Sequence, residues 1–465
     1  MNTTKAKTTL FYLAMIAAAV GAFFWIRSAG RSLIAPERIS LGQFAANAPT
    51  VSVTSFTHAL LALVVIILSA RGLGYLFSRF NQPPVVGEMI AGIMLGPSLL
   101  GQVFPGVFAY LFPQQMSPHL SVLADIGVIL YMFLVGVELD PSLLRGRAHA
   151  SVATSHASIV VPFLMGSAIS LWLYPLYSTS DVRFVVFALF MGISMSVTAF
   201  PVLARVVTDR GLQEDRLGAI ALTCAAVDDV TAWCLFALVV SVARAHAQGS
   251  LLTLMLTGGF ILFVFVVIRP GAIWLARRHA QRRRTGQSSI VIACIALLLA
   301  ALTTQWIGIH ALFGAFLVGA VIPHDSLLAQ DIKQKFEDLV VILFLPVFFA
   351  FTGLRTQIGL VNGFGDWLIC IAIILVASMG KFGGATLAAR LTGLDWKEAA
   401  SLGILMNTRG LIELIVLNVG MDLGVLSPTL FAMLVIMAVV TTVATTPVLE
   451  KLKRSAEPVI AISHD

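Results

Sequence analysis

Charge is what this sequence has least of. Asp, Glu, Lys and Arg make up only 11% of its 465 residues, against 58% hydrophobic residues, and the mean hydropathy is +0.94. A soluble domain carries roughly a quarter charged residues, so a water-exposed globular fold of this size is excluded. Cysteine is scarce too. Cys224, Cys234, Cys294 and Cys370 all fall in apolar segments, with no CxxC or Cys/His spacing. That argues against a disulfide framework or a zinc site and for inert buried thiols. No glycine-rich phosphate-cradling loop and no nucleophile–base pattern is present, so neither enzyme chemistry nor a cofactor is expected. The net charge of +7 does not mark a nucleic-acid partner, because the basic residues are scattered through short loops instead of lining one polar face.

What the sequence has in abundance is apolar runs long enough to cross a ~30 Å hydrocarbon core as helices. Spans are expected at about 9–26, 57–78, 84–111, 120–139, 150–174, 184–204, 216–243, 251–268, 289–304, 308–323, 337–354, 366–390, 396–419 and 428–449. The first follows Lys5 and Lys7 and has the look of a signal peptide, but no clear small-x-small cleavage site follows it, and a retained helix is expected. From residue 57 onward, alternate connections are basic: Arg79; Arg145 and Arg147; Arg205, Arg210 and Arg216; Arg277 to Arg284; Lys333 and Lys335; Arg390 and Lys397; Lys451 to Arg454. The alternation predicts an all-α polytopic membrane protein with thirteen core helices, an extra N-terminal helix and a cytoplasmic C-terminus in the plasma (inner) membrane. The chain divides into an N-terminal hydrophobic segment and polar linker (1–56), a transmembrane domain (57–450) and a short tail (451–465).

FLVGVELDPSLL (133–144) and FAFTGLRTQIGL (349–360) share an apolar run, a glycine and a charge two residues later. They end spans an odd number apart, so the two copies lie inverted across the membrane, as in many secondary transporters. The next matched pair carries helix-breaking sequence. FMGISMSVTAFPVLARVV contains Ser194, Ser196, Thr198 and Pro201; SLGILMNTRGLIELIVLN contains Asn407, Thr408, Arg409 and Gly410. Two interrupted helices are expected there, with carbonyls around Ser196–Thr198 freed toward an ion.

Asp228 and Asp229 sit together in a run with no other charge from Leu217 to Ala243. Carboxylates so deep cost at least ~2.5–3.5 kcal/mol each and point to function. Adjacent helical positions diverge by ~100°, so one faces a cavity and the other a neighbouring helix. Lys381, in SMGKFGG, is the cation available to that neighbour. A pair leaves one carboxylate spare, suited to binding a proton and a small cation in turn. Arg409 and Glu413, four apart, are expected to pair and support the second break. Glu88 and Glu138 either line a pathway or support packing, and His310 is either a pH sensor or a hydrogen-bonded bundle residue.

VVGEMIAGIMLGPSLLG, SVTAFPVLARVV, AAVDDVTAW, ASMGKFGG and LMNTRGLIELIVLNVG, in that order, resemble the second monovalent cation:proton antiporter family. That family includes bacterial sodium/proton antiporters, Kef-type potassium efflux systems and plant cation/proton exchangers. The resemblance covers about residues 57–450 and implies an inverted-repeat antiporter fold with two crossing interrupted helices, assembled as a homodimer of dimerisation and mobile core domains. It implies further that Asp229 binds the transported Na+, K+ or Li+ or a proton, that Asp228 pairs with Lys381, that Thr198 lies near the ion, and that exchange is electrogenic. Kef-type systems continue into a cytoplasmic nucleotide-binding domain, whereas this sequence runs only about fifteen residues past its last span, so ligand-gated regulation of that kind is not expected. The competing functions are a channel-like potassium efflux protein and an organic-anion symporter on a related fold. The second would need excess positive charge at the breaks, where only Arg409 is available and Glu413 is close enough in sequence to neutralise it.

Overall fold

In a computed structural model, residues 2–30, 33, 55–113, 116–139, 148–212, 215–244, 250–281 and 287–454 are described. The polar stretch after residue 33 and the tail from 455 lie outside them, as do Arg145, Arg147 and Arg282 to Arg284. The α-helices of eight residues or more are α1 (Asn2–Ala29), α2 (Ser55–Arg79), α3 (Pro84–Leu95), α4 (Ser117–Glu138), α5 (Ala148–Tyr177), α6 (Phe184–Ser196), α7 (Phe200–Asp209), α8 (Arg216–Arg244), α9 (Ser250–Phe263), α10 (Arg269–Gln281) and α11 (Gln287–Ile307). They continue as α12 (Ala311–Ala320), α13 (Leu327–Leu339), α14 (Leu345–Arg355), α15 (Gly363–Ser378), α16 (Gly384–Leu391), α17 (Trp396–Met406), α18 (Leu411–Asp422) and α19 (Pro428–Arg454). π-Helical turns join α9 to α10, α13 to α14 and α15 to α16.

Every expected span is helical. Among the described residues eleven helices are long and apolar enough to cross a membrane, twelve with the bent pair α17–α18. Of the other two expected spans, 9–26 lies within α1, and 308–323 holds the shorter apolar helix Ala311–Ala320. Ten residues rise only about 15 Å, because the chain turns at Gly308, whose φ of 97° favours glycine, and leaves the helix again after Ala320. Helix starts follow local chemistry. Pro occupies the first turn of α3, α4, α7 and α14, where its missing N–H costs nothing. The Ser326 hydroxyl and the Asp395 carboxylate accept the free N–H groups of Ala329 and Glu398.

The helices sort into two bundles. One comprises α2, α3, α4 and α11–α14. The other comprises α5–α8 and α15–α19, and α1 packs on its α5 and α6. The inverted repeat is visible in the packing of the first bundle. Gly136 of α4 abuts the backbone of Phe316 and Gly319 on α12, while Gly353 of α14 abuts Gly92 and Ile93 on α3. A Cβ at Gly136 would lie 2.3 Å from the Phe316 carbonyl oxygen, and one at Gly353 would lie 2.0 Å from that of Gly92. Each half's helix thus lies on the other half's preceding helix, and both contacts need glycine.

Of the four cysteines, only Cys224 and Cys370 are buried. Cys234 lies on an exposed face of α8. An apolar segment in a membrane protein need not face the interior, since lipid solvates it as well as side chains do.

Candidate functional site

Both breaks fall in the second bundle. Helix α6 ends at Ser196; Val197 and Ala199 are extended, and α7 restarts at Phe200 with Pro201 in its first turn. Helix α17 ends at Met406, and α18 begins at Leu411 after a 45° bend. The two interruptions touch. The Ala199 N–H donates to the Thr408 carbonyl at 3.0 Å. A Cβ on Gly410 would lie 2.8 Å from Val202 Cγ2, so glycine is what lets the second break approach α7.

Asp228, on α8, is fully buried and saturated with donors. Ser155 donates to its Oδ1; Ser158 and Thr198, each at 2.7 Å, and Lys381, at 3.2 Å, donate to Oδ2. Lys381 is fully buried on the π-turn between α15 and α16, and its other ammonium bonds go to the carbonyls of Ser158, at 3.1 Å, and Ser196. All three of its donors are therefore used.

Asp229 faces differently. It is 3% exposed, and its Oδ1 has no hydrogen-bond partner among the described residues. Its carboxylate lies at the start of α7, within reach of the Phe200 N–H, where helix-terminal amides favour a negative charge. Asn407, at the other break, likewise has an unpartnered buried Oδ1. A buried carboxylate oxygen that no donor meets suits a small hard cation or a proton.

Arg409, buried at the second break, reaches across to the first. Its Nη1 and Nη2 donate to the Ser194 and Met195 carbonyls at 2.9 Å each, and Nη1 also lies 3.2 Å from Glu413 Oε1. With Lys381 on Ser196, two cations thus cap the last three carbonyls of α6, the electronegative end of that half-helix. Of the carbonyls expected to be freed toward an ion around Ser196–Thr198, that of Ser196 is taken by Lys381. The Ser194, Ser196 and Thr408 hydroxyls bond backbone carbonyls of their own helices. Thr198 turns its hydroxyl to Asp228 and not to Asp229.

Three contributors escaped the sequence reading. Ser155 and Ser158 lie three apart on one face of α5, in TSHASIVV, a spacing that signals a shared face but also occurs in ordinary helix packing. Thr442 of α19 accepts from the Arg409 N–H at 3.2 Å and donates to its carbonyl at 2.9 Å.

At the end of the bundle that carries Arg79, Arg210 and Lys333, a cavity of about 370 Å³ separates the two bundles. It is lined by Arg71, Glu88, Tyr131, Glu138, Pro201 and Arg205, among others. Pro201, next to the Phe200 N–H that reaches the Asp229 carboxylate, lines this cavity. Glu88 is 3.6 Å from Arg71, and Glu138 is 2.6 Å from Lys333. At the opposite end a small pocket of about 20 Å³ lies among Asp125, His310, Asn418 and Asp422.

The profile of the family described as "Sodium/hydrogen exchanger, transmembrane" matches residues 60–451. The Na(+)/H(+) antiporter NhaS4 of Synechocystis is 44% identical over 392 residues, covering 84% of this chain and 96% of that protein. Cation/H(+) antiporter 17 of Arabidopsis thaliana is 38% identical and K(+)/H(+) antiporter 1 of Saccharomyces cerevisiae is 35% identical. These matches cover 84% and 80% of this chain but span only 48% and 43% of those longer proteins. Among solved structures, the sodium proton antiporter MjNhaP1 of Methanocaldococcus jannaschii shares the fold, with a TM-score of 0.60 at 14% identity over 86% of this chain and 98% of that one. The profile match over residues 60–451 and the similarity to NhaS4 show that the chain belongs to the sodium/hydrogen exchanger family.

Proposed function

We propose that this protein is a secondary active transporter that exchanges a monovalent cation, Na+, K+ or Li+, for protons by alternating access. The observation that carries this proposal is the inequality of two adjacent carboxylates. Asp228 is consumed by Lys381, Ser155, Ser158 and Thr198, whereas Asp229 keeps an unpartnered oxygen at the crossing of two broken helices. In a low-dielectric site a lone carboxylate must hold a positive partner, and a proton and an alkali cation compete for the same oxygens. Asp229 is the shared seat, Asn407 offers a further oxygen, and Asp228–Lys381 fixes the geometry of both. Exchange is electrogenic, two protons leaving Asp229 and the Lys381–Asp228 pair as one cation enters.

The basic end of the bundle is the cytoplasmic end by the positive-inside bias. The 370 Å³ cavity then faces the cytoplasm, and the conformation is inward-open. The C-terminus is cytoplasmic, the membrane is the plasma (inner) membrane, and the protein works as a homodimer in which the second bundle moves against the first. An organic-anion symporter is disfavoured by Arg409, whose Nη1 and Nη2 bond Ser194, Met195 and Glu413.

The test is proton flux in liposomes carrying an interior pH dye. A pH gradient is imposed, each alkali cation is added in turn, and Asp229→Asn is run beside wild type with and without a potassium/valinomycin clamp. Cation-dependent proton movement that the mutant loses, and that the clamp accelerates, is expected. Proton flux indifferent to all three cations, or untouched by Asp229→Asn, would overturn the proposal.

A further inference from the structure

At the end of the molecule opposite the cavity, one ion pair ties the two bundles together. Arg355 is the last residue of α14, in the first bundle, and its Nη2 lies 2.6 Å from Asp422 Oδ1, at the end of α18 in the second. Arg355 Nη1 also donates to Asn418 Oδ1 at 3.2 Å, and Asn418 Nδ2 donates to Thr352 Oγ1 at 2.8 Å, a second strand of the same tie. Asn418 and Asp422 of this tie line the small pocket of about 20 Å³ at that end.

The inverted repeat supplies its counterpart. Arg355 stands two residues beyond Gly353, which seats α14 on α3. Glu138 stands two residues beyond Gly136, which seats α4 on α12, and it ends its helix as Arg355 does. The second half of the other broken helix, α7, carries Arg205, which lines the open cavity together with Glu138. The polarity is reversed: the first bundle offers an arginine at the closed end and a carboxylate at the open end. In this conformation Glu138 is held within its own bundle by Lys333 at 2.6 Å.

The geometry points to a pair of alternating latches: Arg355–Asp422 closes one side in the state seen here, and Glu138 exchanges Lys333 for Arg205 to close the other side after the second bundle moves. Glu138 and Arg205 are positioning residues, which touch neither cation nor proton. Each latch stabilises one end state, and because one breaks as the other forms, both sides are not open together. The inference rests on the alternating-access reading above.

Two experiments test it in the full-length protein. In a background with the four cysteines replaced, Arg355→Cys/Asp422→Cys and Glu138→Cys/Arg205→Cys are treated with a short bifunctional thiol reagent in proteoliposomes. The first pair is expected to cross-link readily, the second severalfold more slowly, and the second not at all once the first is closed. A second pair that never cross-links, or that does so as well in molecules already locked by the first, overturns the latch. Separately, Glu138→Arg and Arg205→Glu are each expected to reduce flux about tenfold and the double swap to restore most of it. Singles at wild-type rate, or a double no better than the singles, also overturn it. Wild-type flux measured alongside separates the two proposals: if the wild type shows no cation-linked proton movement, the antiport reading fails, and if it does while the latch results are negative, only the latch fails.

Discussion

Ala199 and Thr408 satisfy each other across the meeting point of the broken helices: the N–H of one donates to the carbonyl of the other at 3.0 Å. Breaking a helix within a membrane frees backbone groups that no water meets. Here each half's break answers part of the other's need, which is why the two interruptions lie together. The neighbouring long helices then divide the labour. Asp228 and Asp229 sit on α8, and α19, its counterpart in the repeat, carries Thr441 and Thr442. Thr442 clamps the backbone of Arg409 through both its N–H and its carbonyl, so one half holds charge and the other braces the crossing.

The two aspartates should fail in opposite ways when neutralised. Asp228→Asn leaves Lys381 buried without its counter-ion, a loss of about 3–5 kcal/mol when one partner of a buried pair is removed. Asp229→Asn removes a buried carboxylate that no cation pairs. Thermal melts in detergent should therefore show Asp228→Asn well below wild type and Asp229→Asn at or above it, although neither variant transports. Equal melting temperatures would contradict the division of roles.

Ser158→Ala tests the support of Asp228 more gently. It deletes one hydroxyl donor to a buried carboxylate, worth about 1.5–3 kcal/mol for a bond to a charged group, and the melting temperature should fall by a few degrees. Transport should persist, because Thr198 and Lys381 still hold Oδ2. Abolished flux in a folded Ser158→Ala protein would place the serine in the ion's path instead.

Thr442→Val keeps shape while removing both bonds to Arg409. Flux should fall about tenfold at unchanged expression, since the second break loses its anchor. Thr441→Val is the control, because its hydroxyl bonds only the Met437 and Ala438 carbonyls of its own helix. It should transport close to the wild-type rate.

Much of this arrangement could be read directly from the chain. Helical runs declare themselves by apolar length, and Asp228, Asp229 and Lys381 stand out because charge is expensive there. Pro201 and the Asn407–Gly410 stretch marked the breaks. What stayed hidden depends on which side chains arrive from distant helices. That Arg409 and Lys381 occupy the last carbonyls of α6 follows from the crossing of two segments some two hundred residues apart, and no local pattern encodes it. Ser155 and Ser158 are equally silent, since a serine pair on a helix looks the same whether it bonds its own backbone or a carboxylate. The run at 308–323 reads as a full span because its apolar residues continue past both ends of α12, and hydropathy does not register the turn at Gly308.

Shared occupancy of Asp229 fixes the sign of the pH response. A proton on its carboxylate excludes the cation, so acidifying the side from which the cation binds should raise the half-saturating cation concentration. The maximal rate at saturating cation should change little, because enough cation displaces the proton from the same oxygens. Raising pH should lower the half-saturating concentration until deprotonation of Asp229 is complete, where the curve flattens. Initial proton-linked cation fluxes in liposomes, recorded over a series of cation concentrations at several external pH values, give both parameters. A half-saturating concentration independent of pH, with only the maximal rate changing, would mean that proton and cation occupy separate groups, and Asp229 could then not be their common seat.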